Sequence, residues 1–443
     1  MRRTGGASLA VSLLAIASAA VGQDARPIAG PPAPLTASAP TIDRPAGVSP
    51  ALFTAVDKAT ASYPAIEASR SQVRAASADV RAAKQQRLPS VGVQGVALGT
   101  GPGLGSQIVV DQPVFAFGKI GANIDRAQAQ RLVREAEVDE AVQNIALDTV
   151  DAYFGIARLA RREQILGSSL EDHAALVATI ERRVAQEVSP QVDLELARSR
   201  MAQVEQELAF TRAQRGATTA RLFQLVGDNG YDAGSVPSYD PAVHHPAPEG
   251  AQEQAIACSP RRLRLTAQTG VARAETRQAQ RAILPQLSAQ LAYSDVLGAR
   301  AGLAVTAQTS GGLSNFAAAD AARARETSTQ LDVTTAEREL VERVTSDLVE
   351  NTTARRRVET GGTAASAAGA VTESFRRQFI AGRRTWLDVM NATREATAAE
   401  LGTADAEFSA MASAARILLR TCRWQPQPRL SPFGPPPAAG VAR

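Results

Sequence analysis

Aromatic residues are scarce: Phe, Trp and Tyr make up 4% of the 443 positions. Two ordinary compact cores would call for more of these bulky side chains. Alanine fills the apolar positions instead, which suits thin helices that approach one another closely. Lysine occurs only at positions 58, 84 and 119, so the basic residues are nearly all arginine, and the net charge is +4. These arginines alternate with Asp and Glu along helical runs, the pattern of a solvated face, and no nucleic-acid partner is expected. Beyond the N-terminus no stretch approaches the ~20 apolar residues of a membrane-spanning helix. The three histidines have no metal-ligand spacing; His244 and His245 fall in a Pro-rich loop and are expected to be exposed. There is no nucleophile–base pair, phosphate-cradling glycine loop or metal cluster, so neither catalysis nor a cofactor is expected.

The chain opens MRRTGGASLAVSLLAIASAAVGQ. A basic start, a short apolar run and small residues near Gly22 read as a secretory signal peptide over residues 1–22. No cysteine follows the cleavage region, which argues against an N-terminal lipid anchor. Residues 23–50 form a Pro-rich, extended lead-in, and 425–443 a similar, disordered tail. Export places Cys258 and Cys422 where a disulfide could persist.

Between these ends the sequence says everything twice. Pro64 and Pro260, Pro89 and Pro285, and Gln112 and Gln308 are each 196 positions apart; Asp193 and Asp388, and Gly227 and Cys422, are 195 apart. Residues 51–227 and 258–424 are thus expected to be two structural repeats, joined by a linker over 228–257. Each begins with a helix, over 51–87 and 260–283, that ends at Leu88-Pro89 or Leu284-Pro285. Two stretches of strand character follow: SVGVQGVAL and SQIVVDQPVF, then QLSAQLAYSDVL and GLAVTAQTS. Their Gly-rich links, GTGPGLG and GAR-AG, suit hairpin turns.

A very long helix follows. Val138, Val142, Ile145, Thr149, Tyr153 and Ile156 recur at helical spacing, and no proline interrupts the run from Gly118 to Gln186. Such a helix would be on the order of 100 Å long at ~1.5 Å per residue. A return helix spans about 190–226. The second repeat has the same pair, at about 316–372 and 386–421, with Gly361-Gly362 expected to bend or weaken the first and Leu401, Ala404, Phe408, Met411, Ala415 and Leu418 forming a heptad seam on the second.

Four strands with open edges are unstable alone in water or lipid. Three copies would supply twelve, an even number suited to an outer-membrane barrel, with the helices packed below as a tube. The alternative is a periplasmic coiled-coil scaffold with poorly formed hairpins and no channel.

The ordered double set, with QPVFAFGK at 112–119 and FIAGRRTWLDVMNA at 379–392, resembles the TolC-type outer-membrane efflux proteins over residues 51–424. The resemblance implies a mainly α fold with a small β component: a homotrimer with long helical hairpins forming a periplasmic tunnel, topped by a twelve-strand barrel in outer-membrane lipid. It also implies a periplasmic adaptor and an inner-membrane pump as partners, and small molecules or secreted protein as cargo. Asp388 matches an acid of the pore entrance, where Asn391 replaces a second acid. Arg384 matches a gate latch whose expected partner is Asp193 on the neighbouring hairpin; Phe379 replaces an aromatic able to hydrogen-bond there. Glu187, Val188 and Ser189, with Gly382 and Arg383, would form the adaptor-contacting tips, and Phe115 and Phe117 the barrel rim. In the implied topology Cys258 and Cys422 both lie at the tunnel's midline, where a disulfide is expected, with a pair of buried thiols as the alternative.

Overall fold

The computed structural model describes residues 44–97, 104–294, 298–307 and 314–432. The signal-peptide segment, most of the lead-in and the tail beyond 432 lie outside the described residues, as does Gln308. The elements run α1 (Pro50–Ser62), α2 (Pro64–Gln85), β1 (Ser90–Ala97), β2 (Leu104–Phe115), α3 (Lys119–Ala185), α4 (Gln191–Val226), α5 (Ala251–Cys258), α6 (Pro260–Ala282), β3 (Gln286–Ser294), β4 (Gly298–Thr306), α7 (Ser314–Ile380) and α8 (Trp386–Arg420). The order helix, two strands, long helix, return helix occurs twice, and α3 and α7 both have 67 residues. No helix among the described residues is long and apolar enough to cross a membrane.

The single helix expected over 51–87 is two. Pro64 opens α2, and the residue before it, Tyr63, is forced to φ −66°, ψ 126°, which ends α1. Expectation also fails at Gly361-Gly362, where α7 continues without a break. A Cβ at Gly361 would lie 2.7 Å from Thr403 Oγ1, so this glycine admits the close approach of α8. GAR-AG is not a turn; it lies within β4, and the link to β3 falls at 295–297, outside the described residues.

The strands form one antiparallel sheet in the order β1-β2-β3-β4, with β1 and β4 as unpaired edges. Successive residues face opposite sides. Val91, Val93, Ile108, Leu291, Tyr293, Leu303 and Val305 share one side and are all exposed. At the foot of the sheet Gly118 starts α3 at φ 81°, and the Arg281 guanidinium donates to its carbonyl at 3.1 Å. A Cβ there would collide with that guanidinium.

Most of the helical stripes read from the sequence are buried: Val138, Val142, Ile145, Thr149 and Tyr153 on α3, and Ala404, Phe408, Met411 and Ala415 on α8, whereas Ile156, Leu401 and Leu418 are half-buried. The main core lies where α1 crosses α3 and α8, gathering Leu52, Val56, Val150, Phe154, Met411 and Trp424. The lead-in already contributes here: Val48 is buried, and the Ser49 hydroxyl caps α1 through Leu52 N. The start of the tail is ordered as well, contrary to expectation. Leu430 N, Ser431 N and Ser431 Oγ all donate to the buried Asp139 carboxylate, at 2.9, 3.1 and 2.6 Å. Cys258 and Cys422 are joined by a disulfide with Cα atoms 6.2 Å apart, and Arg429 Nη2 donates to the Cys258 carbonyl at 2.6 Å. His244 corrects another expectation: its ring is buried, stacks on Tyr239 and hydrogen-bonds Asp240, whereas His245 is exposed.

Candidate functional site

The two helical hairpins α3–α4 and α7–α8 end in tips of parallel construction. In the first, Glu187 has φ 60° and Val188 N bonds the Arg183 carbonyl at 2.8 Å; in the second, Gly382 has φ 73° and Arg383 N bonds the Gln378 carbonyl at 2.9 Å. Both are left-handed closures that cap helix ends. Glycine accepts that backbone freely, whereas Glu187 adopts it with a Cβ in the way. Val188 is 59% exposed, so an apolar side chain stands out at the tip; Arg383 and Gly382 are exposed, and Ser189 is held by Arg183 Nε at 3.3 Å.

Thr385 and Asp388 start α8 with a reciprocal capping box. Asp388 N donates to Thr385 Oγ1 at 3.2 Å, and the Asp388 carboxylate accepts from Thr385 N at 3.3 Å and Thr385 Oγ1 at 2.8 Å. The acid expected at the pore entrance therefore also fixes the first turn of its own helix. Asn391, one turn on, shares its side of the helix and is exposed. Arg384 Nη1 lies 3.8 Å from Asp388 Oδ2, its Nε donates to Gln378 Oε1 at 3.2 Å, and the guanidinium sits 4.2 Å over the Phe375 ring. Within the protomer Arg384 does not reach Asp193, which is half-buried and has no ion pair among the described residues.

Phe379 does not stand at the surface as a latch residue would. Without a polar atom, its ring packs into the apolar cluster between the hairpins, with Val177 and Ile180 of α3, Leu194 of α4, and Trp386, Val389 and Met390 of α8. The Arg183 guanidinium covers it at 5.4 Å. Arg376 and Asp172 join α7 to α3 at 2.6 Å just above. Farther from the tips, Arg416 of α8 gathers three carboxylates: Asp347 at 2.9 Å, Glu350 at 2.6 Å and Asp151 at 3.2 Å; Arg420 adds a bond to Asp347 at 2.8 Å. Burial opposes the Arg416 charge, but these carboxylates outweigh it and hold the guanidinium firmly protonated. No local pattern marks this cluster, because Arg416 and Asp151, for example, are 265 residues apart.

At the opposite end Phe115 and Phe117 meet edge to face, centroids 4.5 Å apart, where β2 hands over to α3. Both are exposed, and Phe117 has φ 44°. Exposed aromatics thus stand at the foot of the sheet.

Residues 55–228 match the sequence model of the outer membrane efflux protein family. Solved structures share the fold across nearly the whole chain. The outer-membrane channel OprN is 18% identical with a TM-score of 0.75, covering 92% of this chain and 100% of its own. The outer membrane protein VceC of Vibrio cholerae is 17% identical with a TM-score of 0.71, covering 84% and 95%. The CmeC outer membrane channel of Campylobacter jejuni is 12% identical with a TM-score of 0.73, covering 84% and 85%. No curated protein matches the sequence.

Strand sheet, long paired helices and matched segment together define a TolC-type channel fold. The chain shares the fold of these outer-membrane channels, and its segment 55–228 is similar to the outer membrane efflux protein family.

Proposed function

We propose that three copies of this chain form an exit duct: a twelve-strand barrel built from four strands per protomer, continued by a helical tunnel made of two structural repeats per chain. The duct is passive. It works with a periplasmic adaptor seated on the hairpin tips and an inner-membrane pump that supplies energy and selects cargo, either small toxic molecules or secreted protein. The observation that carries this reading is the sheet itself. Its two edge strands have unpaired backbone groups, and one face presents Val91, Val93, Ile108, Leu291, Tyr293, Leu303 and Val305 exposed. Unpaired edges cannot persist in hydrocarbon, and closure by identical neighbours removes them. A soluble scaffold would have no use for such a face.

In this duct Asp388 and Asn391 line the periplasmic entrance, and three Asp388 carboxylates favour cations there. Arg384 serves as the latch, exchanging its contact with Asp388 for Asp193 of the adjacent protomer. The contact is exposed and worth ~0–1 kcal/mol, which suits a device that opens. Phe115 and Phe117 mark the lower rim of the barrel. Planar-bilayer recording tests the reading: the purified protein should give small, cation-preferring conductance steps, and its failure to insert or conduct would refute it.

A further inference from the structure

The four strands carry only two charged residues in their entire length, Asp111 and Arg300. Strand register puts both on the same side. Asp111 lies opposite Gln290, and Arg300 lies opposite Ala292, two positions along the same strand. Residues directly opposed, or two apart, share a face. That face is the one away from Val91, Val93, Ile108, Leu291, Tyr293, Leu303 and Val305. It is also the sheltered one: on β3, Leu291 and Tyr293 are exposed, whereas Gln290 and Ala292 are half-buried and Ser288 is buried. In a closed barrel the apolar side would meet lipid and this polar side the lumen.

The two charges differ in position and in company. Helix α2 enters the sheet at Ser90 and α7 leaves beyond Thr306, so the Ser294 and Gly298 ends of β3 and β4 are the ends remote from the helices. Arg300 is two residues beyond Gly298, near that remote end. Asp111 lies two residues closer to the helices, opposite Ser90, and its carboxylate accepts from Gln290 Nε2 at 2.8 Å. Arg300 is exposed and forms no ion pair among the described residues. An arginine stays charged at any physiological pH.

We infer that Arg300 is a charge-selectivity residue of the barrel, forming with its two symmetry copies a cationic ring inside the outer end of the lumen that favours anionic solutes. The inference rests on the trimeric-barrel reading. Twelve strands spaced ~4.8 Å and tilted ~40° put the backbone roughly 12 Å from the axis. The Debye length is ~10 Å at 0.1 M salt, so the field of an inward-pointing guanidinium spans the lumen at moderate ionic strength and collapses near 1 M, where it is ~3 Å. This ring opposes the acidic entrance at the other end of the duct, so the two ends sort solutes by opposite charge.

Reversal potentials of single channels under a KCl gradient test this, with wild type, R300Q, R300K and D111N compared at low salt and near 1 M. In low salt R300Q should shift the reversal potential toward cation preference, D111N should shift it the other way, and R300K should match wild type; all shifts should vanish at high salt. Wild-type channels that conduct, with R300Q indistinguishable from them at low salt, would overturn the inference. So would an R300Q shift of equal size at both ionic strengths, which would mark a change of pore shape. Wild-type protein that forms no channel at all would refute the duct reading itself.

Discussion

Arg384 turns back along its own hairpin to Asp388, Nη1 to Oδ2 at 3.8 Å, and within the protomer leaves Asp193 alone. The same Asp388 carboxylate is already held by Thr385. In the proposed duct one acid would serve helix capping and gate charge together, and the two roles can be separated. T385A removes the cap but leaves the carboxylate, and is expected to destabilise the start of α8 by about 1 kcal/mol. Amide hydrogen exchange at residues 386–390 should accelerate, with the cation preference of the channel retained. D388N should lose that preference. Selectivity unchanged in D388N would remove Asp388 from the entrance.

Glu187 and Gly382 occupy equivalent left-handed positions at the two tips. Glycine relieves the steric cost of that backbone at Glu187, and alanine imposes it at Gly382. E187G is expected to stabilise the fold by about 0.5–1 kcal/mol and G382A to destabilise it by a similar amount, measured as thermal unfolding of the helical signal in detergent. Opposite signs would show that the tip conformations differ from those described.

Asp347 holds two arginines while its own side chain is 9% exposed. Removing its charge leaves Arg416, 15% exposed, with only the more solvated Glu350 and Asp151. D347N is therefore expected to cost about 3 kcal/mol, near the low end for breaking a buried pair. Denaturant titration of helicity measures it; a loss no larger than that of an exposed pair would mean the cluster is solvated.

Burial pushes the Glu407 carboxyl above its ordinary range, with Arg161 pulling the other way. A raised folded-state pKa favours the protonated form, so ionised Glu407 opposes folding at neutral pH, and this penalty fades as pH falls through the folded value. E407Q should unfold at a higher temperature than wild type at pH 7. The difference should disappear below the ordinary Glu pKa, about 4.3. A gap that widens in acid would contradict the assignment.

The parts of the fold legible in the sequence were those encoded by local pattern. The proline-free run and its apolar stripe locate α3 to within a residue or two, and Leu-Pro pairs mark where α2 and α6 give way to strands. Pro64 carried a legible signal too, since a residue before proline leaves the helical region, and Tyr63 does so. What the sequence could not show depends on contacts distant along the chain. Asp139 anchors a tail residue 292 positions away, which turns part of a Pro-rich segment that reads as disordered into an ordered strap. His244 is buried because Tyr239 and Asp240 fold around it, not because of any periodicity. At the tips the motif residues were legible, but not that Phe379 would face inward, since that requires both hairpins to pack on one cluster.

The number of chains in the membrane-embedded particle tests the central claim most directly, and native mass spectrometry of the protein released from detergent micelles reads it. Three copies of the mature chain, with no folded monomer, are expected. A stable single chain that remains folded and soluble without detergent would contradict the shared barrel.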